Sequence, residues 1–500
     1  MGVMRFHIAP PGLLARLPEW DQAYITGADK RVFACRVEVE GDVLTILRQK
    51  QESGKLHICW PVEGYGRPVA FTCSLPEREE PFILPLELAR GKVARLRDQL
   101  GAWQIAGMVI PRNFHALQKD SQHLLAKAAQ RQDQPEECSE LAQKSLTLAY
   151  QAAELLTSAY TQQRLEIYRR RSTQLPSLLG CHLGDVIAQK KDEDAFLSSF
   201  NAAFVPVEWR NIEPQEGEYN WDQLDEQVEW CQANKLFMHA GPLLDLTENG
   251  MPEWLAKWKD DFLNMQSFVS DFVETAISRY FGKIRYWEVS AYGNTGGALG
   301  LTEEQRLTLV ARTLEIARQV DDEIQLSIRI AQPWGGYLAS GEHRLSPLQF
   351  IYALIRSGVG LSTVNVELGV GFAPRKTGYR DLLEISQLFD LWGGLGIPLQ
   401  VTLAYPSAAG VDSDSYGNME AVETDAKHPP SFEQQAEWTH KVVSLLMAKQ
   451  SVVGIYWTNF DDRNQHRYPF AGLIDNEGNQ KPALQVFDHY LNEFWSKTNV

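Results

Sequence analysis

Apolar and polar positions change rhythm twice along this chain. Through residues 1–90 they alternate in short runs, Val32 to Val39, Val43 to Arg48, Leu56 to Trp60 and Val69 to Cys73, separated by Gly41-Asp42 and Ser53-Gly54. A period of two punctuated by turn formers predicts strands with one buried face, and so a small sandwich-like β domain. Beyond Trp60 and Tyr65 it offers no cluster of aromatics, which favours packing against a neighbour over sugar binding.

From 91 to 174 the apolar positions recur at helical spacing in two long runs, broken at Gln132 to Pro135. Asp133 with Glu136 three residues on forms a capping-box pattern, and Pro135 sits early in the new helix, where its missing N–H costs little. The second helix exceeds ~50 Å at ~1.5 Å per residue. Its basic end, Arg169-Arg170-Arg171, suits the negative pole of the helix dipole and requires no ligand. The pair reads as a hairpin joining the β domain to the C-terminal part of the chain; a homodimer contact is the other use it allows.

From 175 to 495 short apolar runs alternate with amphipathic helices, the pattern of a parallel sheet with crossovers. The runs are Ser177 to Leu183, Ala202 to Val207, Leu236 to Pro242, Ile284 to Ala291, Ile324 to Ala331, Thr363 to Leu368, Leu399 to Leu403 and Gly454 to Asn459. Eight strands at this spacing predict an α/β fold, a (β/α)8 TIM barrel. A doubly wound open sheet is the runner-up, disfavoured because no Gly-rich phosphate loop follows the first strand.

Composition narrows the function classes. A chain of 500 residues with a net charge of -16 lacks the basic footprint that nucleic acid or an anionic membrane demands. The six cysteines show no CxxC spacing, so buried free thiols are the reading, a Cys59 to Cys73 bridge the alternative. There is no HExxH or paired histidine spacing, no GxSxG elbow and no phosphate-binding glycine motif in Gly293 to Gly297 or Gly393 to Gly396, so neither metal nor cofactor is implied. Without a basic start leading into an apolar core at the N-terminus, the chain reads as cytoplasmic.

The second βα unit is more specific. It reads Phe200-Asn201-Ala202, then Glu208-Trp209-Arg210-Asn211-Ile212-Glu213-Pro214, Gly217, Tyr219, Trp221 and Asp225. Gly241-Pro242-Leu243 and Pro252-Glu253-Trp254 follow strand three, and the chain closes with Gly454-Ile455-Tyr456-Trp457, Asp461, Gly472-Leu473-Ile474-Asp475 and Lys481-Pro482-Ala483. From 177 to 490 this resembles glycoside hydrolase family 10, the xylanase family. The resemblance implies O-glycosyl hydrolysis of β-linked glycans by two glutamates at the ends of strands four and seven. In Lys283 to Asn294, Trp287 and Glu288 fit the family's Trp-Asp pair, but Ala291 and Tyr292 stand where Asn-Glu belongs. Leu403 takes the nucleophile's place, Gly241 that of a histidine and Asp245 that of a tryptophan. Retention needs two carboxyl groups ~5 to 5.5 Å apart, and a phenol with a pKa near ~10 is a poor substitute for the acid.

The remaining candidates come from strand phase, since alternate residues face the lumen. On strand six that gives Asn365 and Glu367; on strand four Glu288, Ser290 and Tyr292; on strand eight Trp457, Asn459 and Asp461. Buried carboxylates are costly unless paired, so Glu367 and Glu288 are the catalytic candidates. For Glu288 the blander reading, neutralisation by Arg329, takes precedence. Glu208, Tyr292, Gln332, Trp334, Trp457, Asn459 and Asp461 are the substrate-binding candidates, the tryptophans for stacking on sugar rings or as plain core. Pro406 to Pro430, after strand seven, reads as a lid or a disordered loop. Two functions are compatible with these residues. One is a carbohydrate-active barrel that hydrolyses a glycoside or oligosaccharide through relocated carboxylates or binds it uncleaved; the other is a structural protein on an inert barrel.

Overall fold

The computed structural model describes residues 2–171, 177–184, 186–374, 378–423 and 429–494. The N-terminal alternation produces two four-stranded sheets. One runs Cys35–Glu40, Val43–Arg48, Gly2–His7 and Phe82–Ile83; the other runs Val32–Phe33, Tyr24–Thr26, Lys55–Cys59 and Val69–Phe71. Met4, Phe6, Leu44, Ile46, Leu56 and Ile58 form the core of this part, each at most 1% exposed. Trp60 is buried and Tyr65 half-buried, and both are engaged. Trp60 donates Nε1–H to Gln143 at 2.9 Å and Tyr65 its hydroxyl to Glu154 at 2.8 Å, both on the long helix.

Three helices follow where two were predicted: Leu84–Ile105, Arg112–Ala129 and Pro135–Arg171. The extra break lies within the apolar stretch Ile105 to Ile110, where Gly107 takes φ +85° and Pro111 precedes the next helix. Before the long helix, Gln134 rather than Asp133 holds the cap position, its carbonyl accepting from Cys138 N. Gly91 lets the first helix press onto the β domain, since a Cβ there would lie 2.0 Å from Phe71 O.

The barrel strands are Leu178–His182, Ala202–Pro206, Phe237–Gly241, Tyr286–Ala291, Gln325–Ile330, Thr363–Gly369, Leu399–Ala404 and Val452–Trp457, here strands one to eight. All neighbours pair in parallel, and strand eight closes on strand one through Tyr456↔Gly180. Closure excludes the open doubly wound sheet. Val364, Val366 and Leu368 face the helices from strand six and join the main hydrophobic core. The six cysteines are free thiols, and no described helix is long and apolar enough to cross a membrane.

The N-terminal parts are fixed to the barrel at the loop after strand six. Lys92 of the first helix meets Asp381 at 2.6 Å, the two side chains 2% and 6% exposed. Val69 N donates to Tyr379 O, and Arg380 to the Tyr24 hydroxyl. Removing one member of a buried ion pair strands the other charge at a cost of about 3–5 kcal/mol. Lys92→Met therefore lowers stability by that order in denaturant unfolding, and adding Asp381→Leu restores most of it; a loss of only a few tenths would show that the junction does not rest on this pair.

Candidate functional site

Strands four, five and six send Glu288, Arg329 and Glu367 into the lumen, where one guanidinium serves both carboxylates. Arg329 Nη2 lies 2.8 Å from Glu288 Oε1 and Nη1 lies 3.9 Å from Glu367 Oε2. Glu288, fully buried, also accepts from Asn365 Nδ2 at 2.7 Å, and Asn365 in turn accepts from the Thr402 hydroxyl at 3.0 Å. Burial pushes the Glu288 carboxyl above the ordinary carboxylate range, with Arg329 and Asn365 pulling it part of the way back. Burial works against the Arg329 charge, yet Glu288 and the groups beside it hold the guanidinium firmly protonated.

Glu367 is held from above. Tyr292 donates its hydroxyl to Oε2, and Tyr468 donates to Oε1 at 2.5 Å. Both phenols are buried, at 2% and 1% exposure. Over the Tyr292 ring sits the Arg467 guanidinium, 3.9 Å from the centroid, which also reaches Asp245 Oδ2 at 3.2 Å. Asp245 is carried there by Leu244–Asp245, which pairs with the end of strand four. Gly241 makes room below: φ is +144°, and a Cβ would fall 2.7 Å from that of Glu288.

The backbone at this mouth is strained. Tyr292 and Gln332, each just past a strand end, take φ of +63° and +49°, a conformation costing about 1–3 kcal/mol for a non-glycine residue. Asn294 stitches the two ends together, donating to Ala331 O at 2.8 Å and accepting from Ala331 N at 3.3 Å. The described part of the loop after strand seven is ordered over the mouth. Phe372–Ala373 pairs with Glu420–Ala421, and Asp412 accepts from His466 Nε2 at 2.9 Å and from Phe470 N at 3.0 Å. Residues 424–428 of the stretch read as a lid or a disordered loop lie outside the described residues.

Glu288, Glu367 and Tyr292 therefore converge, but other candidates lie elsewhere. Trp457 is turned away from the lumen, packing on Trp438 and Phe487 and donating Nε1–H to Ala471 O at 2.7 Å. Tyr456 takes the inner face instead, beside Phe204 and His239, which corrects the phase read for strand eight. Asn459 donates to Tyr468 O at 3.3 Å, whereas Asp461 is occupied with Arg463 in a tight turn. Trp334, half-buried, lies against the Arg380 guanidinium, 4.5 Å from its ring centroid. Glu208 is exposed and accepts a bond from Asn211. Sequence reading missed Arg467 and Tyr468, since a loop position has no phase to place it. Among the described residues no group of three His, Cys, Asp or Glu side chains could hold a metal ion.

Chemically, the inner carboxylates are engaged rather than poised. Each acceptor face of Glu367 already holds a phenolic proton, and Glu288 lies beneath it on Arg329. Deeper still, His239 bonds Ser327 at 2.9 Å, and burial, with help from Arg329, lowers its pKa to about 3. The unfolded chain protonates this histidine below its usual 6.5 while the folded lumen refuses the proton, so the stabilisation is complete above 6.5 and is lost as pH falls toward 3. In that window the slope is about 1.4 kcal/mol per pH unit for one such group. His239→Gln, which keeps a polar end for Ser327, is expected to lower the slope of the whole protein by about that amount, the shares of the buried His182 and His57 remaining, read as unfolding free energies between about pH 7 and about pH 5; an unchanged slope would contradict the assignment.

Residues 184–328 match the family model for glycosyl hydrolase family 10. Endo-1,4-beta-xylanase B of Thermotoga neapolitana is 29% identical over 86 residues, 17% of this chain and 23% of the xylanase. Endo-1,4-beta-xylanase A of Fusarium oxysporum f. sp. lycopersici is 23% identical over 103 residues, 21% of this chain and 30% of that protein. The chain thus spans under a third of the length of these curated relatives. The structure of xylanase 10B from Thermotoga maritima aligns with 64% of this chain and 96% of its own at 15% identity and a TM-score of 0.49. The family match lies within the closed eight-stranded barrel.

Proposed function

We propose that the barrel binds an oligosaccharide or glycoside at its mouth and does not cleave it by the two-glutamate retaining mechanism. The observation that carries this reading is the engagement of Glu367 by the Tyr292 and Tyr468 hydroxyls. A general acid or base must reach the proton it moves within hydrogen-bond distance of substrate, and both faces of this carboxylate are taken. Glu288 is deeper, fully buried and paired with Arg329. The positions that the family resemblance assigns to the acid and the nucleophile hold Tyr292 and Leu403.

Support for binding comes from polar atoms around the mouth. Among the described residues, Gln332 Oε1, Asn459 Oδ1 and Arg467 Nε are buried without a hydrogen-bond partner. Each costs about 1–3 kcal/mol unless something meets it, and a hydroxyl-rich ligand both donates and accepts. A β-linked glycan of the kind named for the xylanase relatives is the first ligand to try. The second reading, a structural barrel, is favoured by one feature: Tyr292 and Tyr468 are both buried, Tyr292 beneath Arg467 and Tyr468 against Phe372.

Hydrolysis of xylo-, gluco- and uronic-acid oligosaccharides, run on wild type and Glu367→Gln together with thermal melts, separates these outcomes. The expected result is no turnover by either protein and a raised melting temperature with at least one oligosaccharide. Turnover that disappears in Glu367→Gln would overturn the proposal in favour of a relocated catalytic carboxylate. Neither turnover nor stabilisation would leave the structural reading.

A further inference from the structure

A cavity of about 750 Å3 opens at the end of the barrel opposite the mouth, beside the starts of strands seven and eight. Trp103 and Met108, at and just after the end of the first helix, form one wall. Tyr160 and Ile167 of the long helix form a second, and Phe389 and Ile397 of the barrel a third. Trp103 stacks on Tyr160 with centroids 4.4 Å apart and planes at 7°. The first wall is pinned to the second, since Gln163 accepts from Val109 N at 2.9 Å and donates to Val109 O at 2.8 Å. At this end of the first helix Ile105 and Val109 are 91% and 73% exposed, an apolar approach to an apolar interior. The volume falls in the ~300–1,000 Å3 of ligand sites, which are mostly apolar with a few placed polar groups.

The charged side chains of the lining are Arg164, Lys449 and Asp390. Lys449 is 4% exposed and pairs with Asp390 at 2.7 Å, its Nζ 4.8 Å from the Tyr160 ring centroid. Arg164 reaches the Tyr168 hydroxyl at 3.3 Å through Nη2, while Nε is buried without a hydrogen-bond partner, and among the described residues the guanidinium enters no ion pair. Two cations therefore share one carboxylate, and one positive charge in the lining is left uncompensated. The two cations also feel each other. Burial lowers the Lys449 pKa, Asp390 pulls it back, and Arg164 lowers it further. The Arg164 charge is felt at Tyr160 as well, so it acts on two members of the cavity wall.

This chemistry sets the ligand. One negative charge relieves the repulsion between Arg164 and Lys449, and the rest of the molecule must be apolar to match the walls. The Tyr160 ring is already stacked on Trp103 and approached by Lys449, so a flexible aliphatic body suits the space better than a flat ring. A compact dianion such as phosphate would lose its hydration to walls that offer it little in return. We propose that this cavity binds an aliphatic monocarboxylic acid, its carboxylate toward Arg164 and its chain against Tyr160, Phe389 and Ile397. The proposal does not rest on the reading of the mouth.

The test is calorimetric titration of the full chain with hexanoate, octanoate and decanoate, with 1-octanol as the uncharged probe and inorganic phosphate as the anion without a chain. Octanoate is expected to bind with a stoichiometry of one, and along the series affinity should rise about fourfold for each methylene buried. Octanoate should bind about tenfold more tightly than 1-octanol, the worth of a hydrogen bond between charged groups. Arg164→Met should remove that difference by weakening octanoate alone, a split that lost packing would not produce. Ile167→Glu, at a position 38% exposed on the long helix, sets a like charge in the wall and should weaken octanoate by about tenfold or more; it answers the question even if Arg164→Met fails to fold. Absence of binding by every alkanoate, 1-octanol binding as tightly as octanoate, phosphate binding in place of the alkanoates, or octanoate binding that survives both variants would overturn the proposal.

Discussion

The lumen of this barrel depends on one buried guanidinium. Arg329 lies between Glu288 and Glu367, and nothing else in the described lumen offsets those carboxylates so directly. Isolated, each carboxylate would cost several kcal/mol to bury, so Arg329 is the condition for having either one inside. Its surroundings are arranged accordingly. Phe204 lies under the guanidinium, 5.0 Å from carbon to centroid, Asn365 takes the other oxygen of Glu288, and His239 and His182 remain neutral because burial and this cation both oppose a second positive charge.

From that layer the mouth is organised upward. Glu367 has one oxygen toward Arg329 and both within reach of phenols, and Tyr292 is held in a left-handed conformation to supply one of them. Arg467 covers that ring and is tied to Asp245. The loops after strands seven and eight are clipped to each other through Asp412 and His466, so the cover is part of the fold. The barrel thus has its inner pair of carboxylates locked by hydrogen bonds and by Arg329, while unused polar atoms remain around the mouth.

The barrel was legible because its strands are short apolar runs with clear phase. Strand six is the clearest case: Val364, Val366 and Leu368 read outward, leaving Asn365 and Glu367 inside, and the pairing of Glu288 with Arg329 follows from two charges on neighbouring strands. Strand eight was misread because Tyr456 and Trp457 are adjacent large aromatics, either of which can fill a lumen. Contact decides between them: Gly180 leaves space for the Tyr456 ring, and Ala471 O offers Trp457 a partner outside. The break at Gly107 was hidden within an apolar run that continues the helical pattern. Arg467 and Tyr468 were invisible for a different reason, since their loop returns over the mouth only through contacts with residues far away in the chain, as His466 does with Asp412.

The most direct test of the account is the stability of Arg329→Met, measured by denaturant unfolding beside Arg329→Met with Glu288→Leu. If the guanidinium is what permits the buried carboxylates, the single variant loses about 3–5 kcal/mol and the second change recovers a substantial part. A loss of less than about 1 kcal/mol, the scale of an exposed ion pair, with no recovery on adding Glu288→Leu, would contradict it.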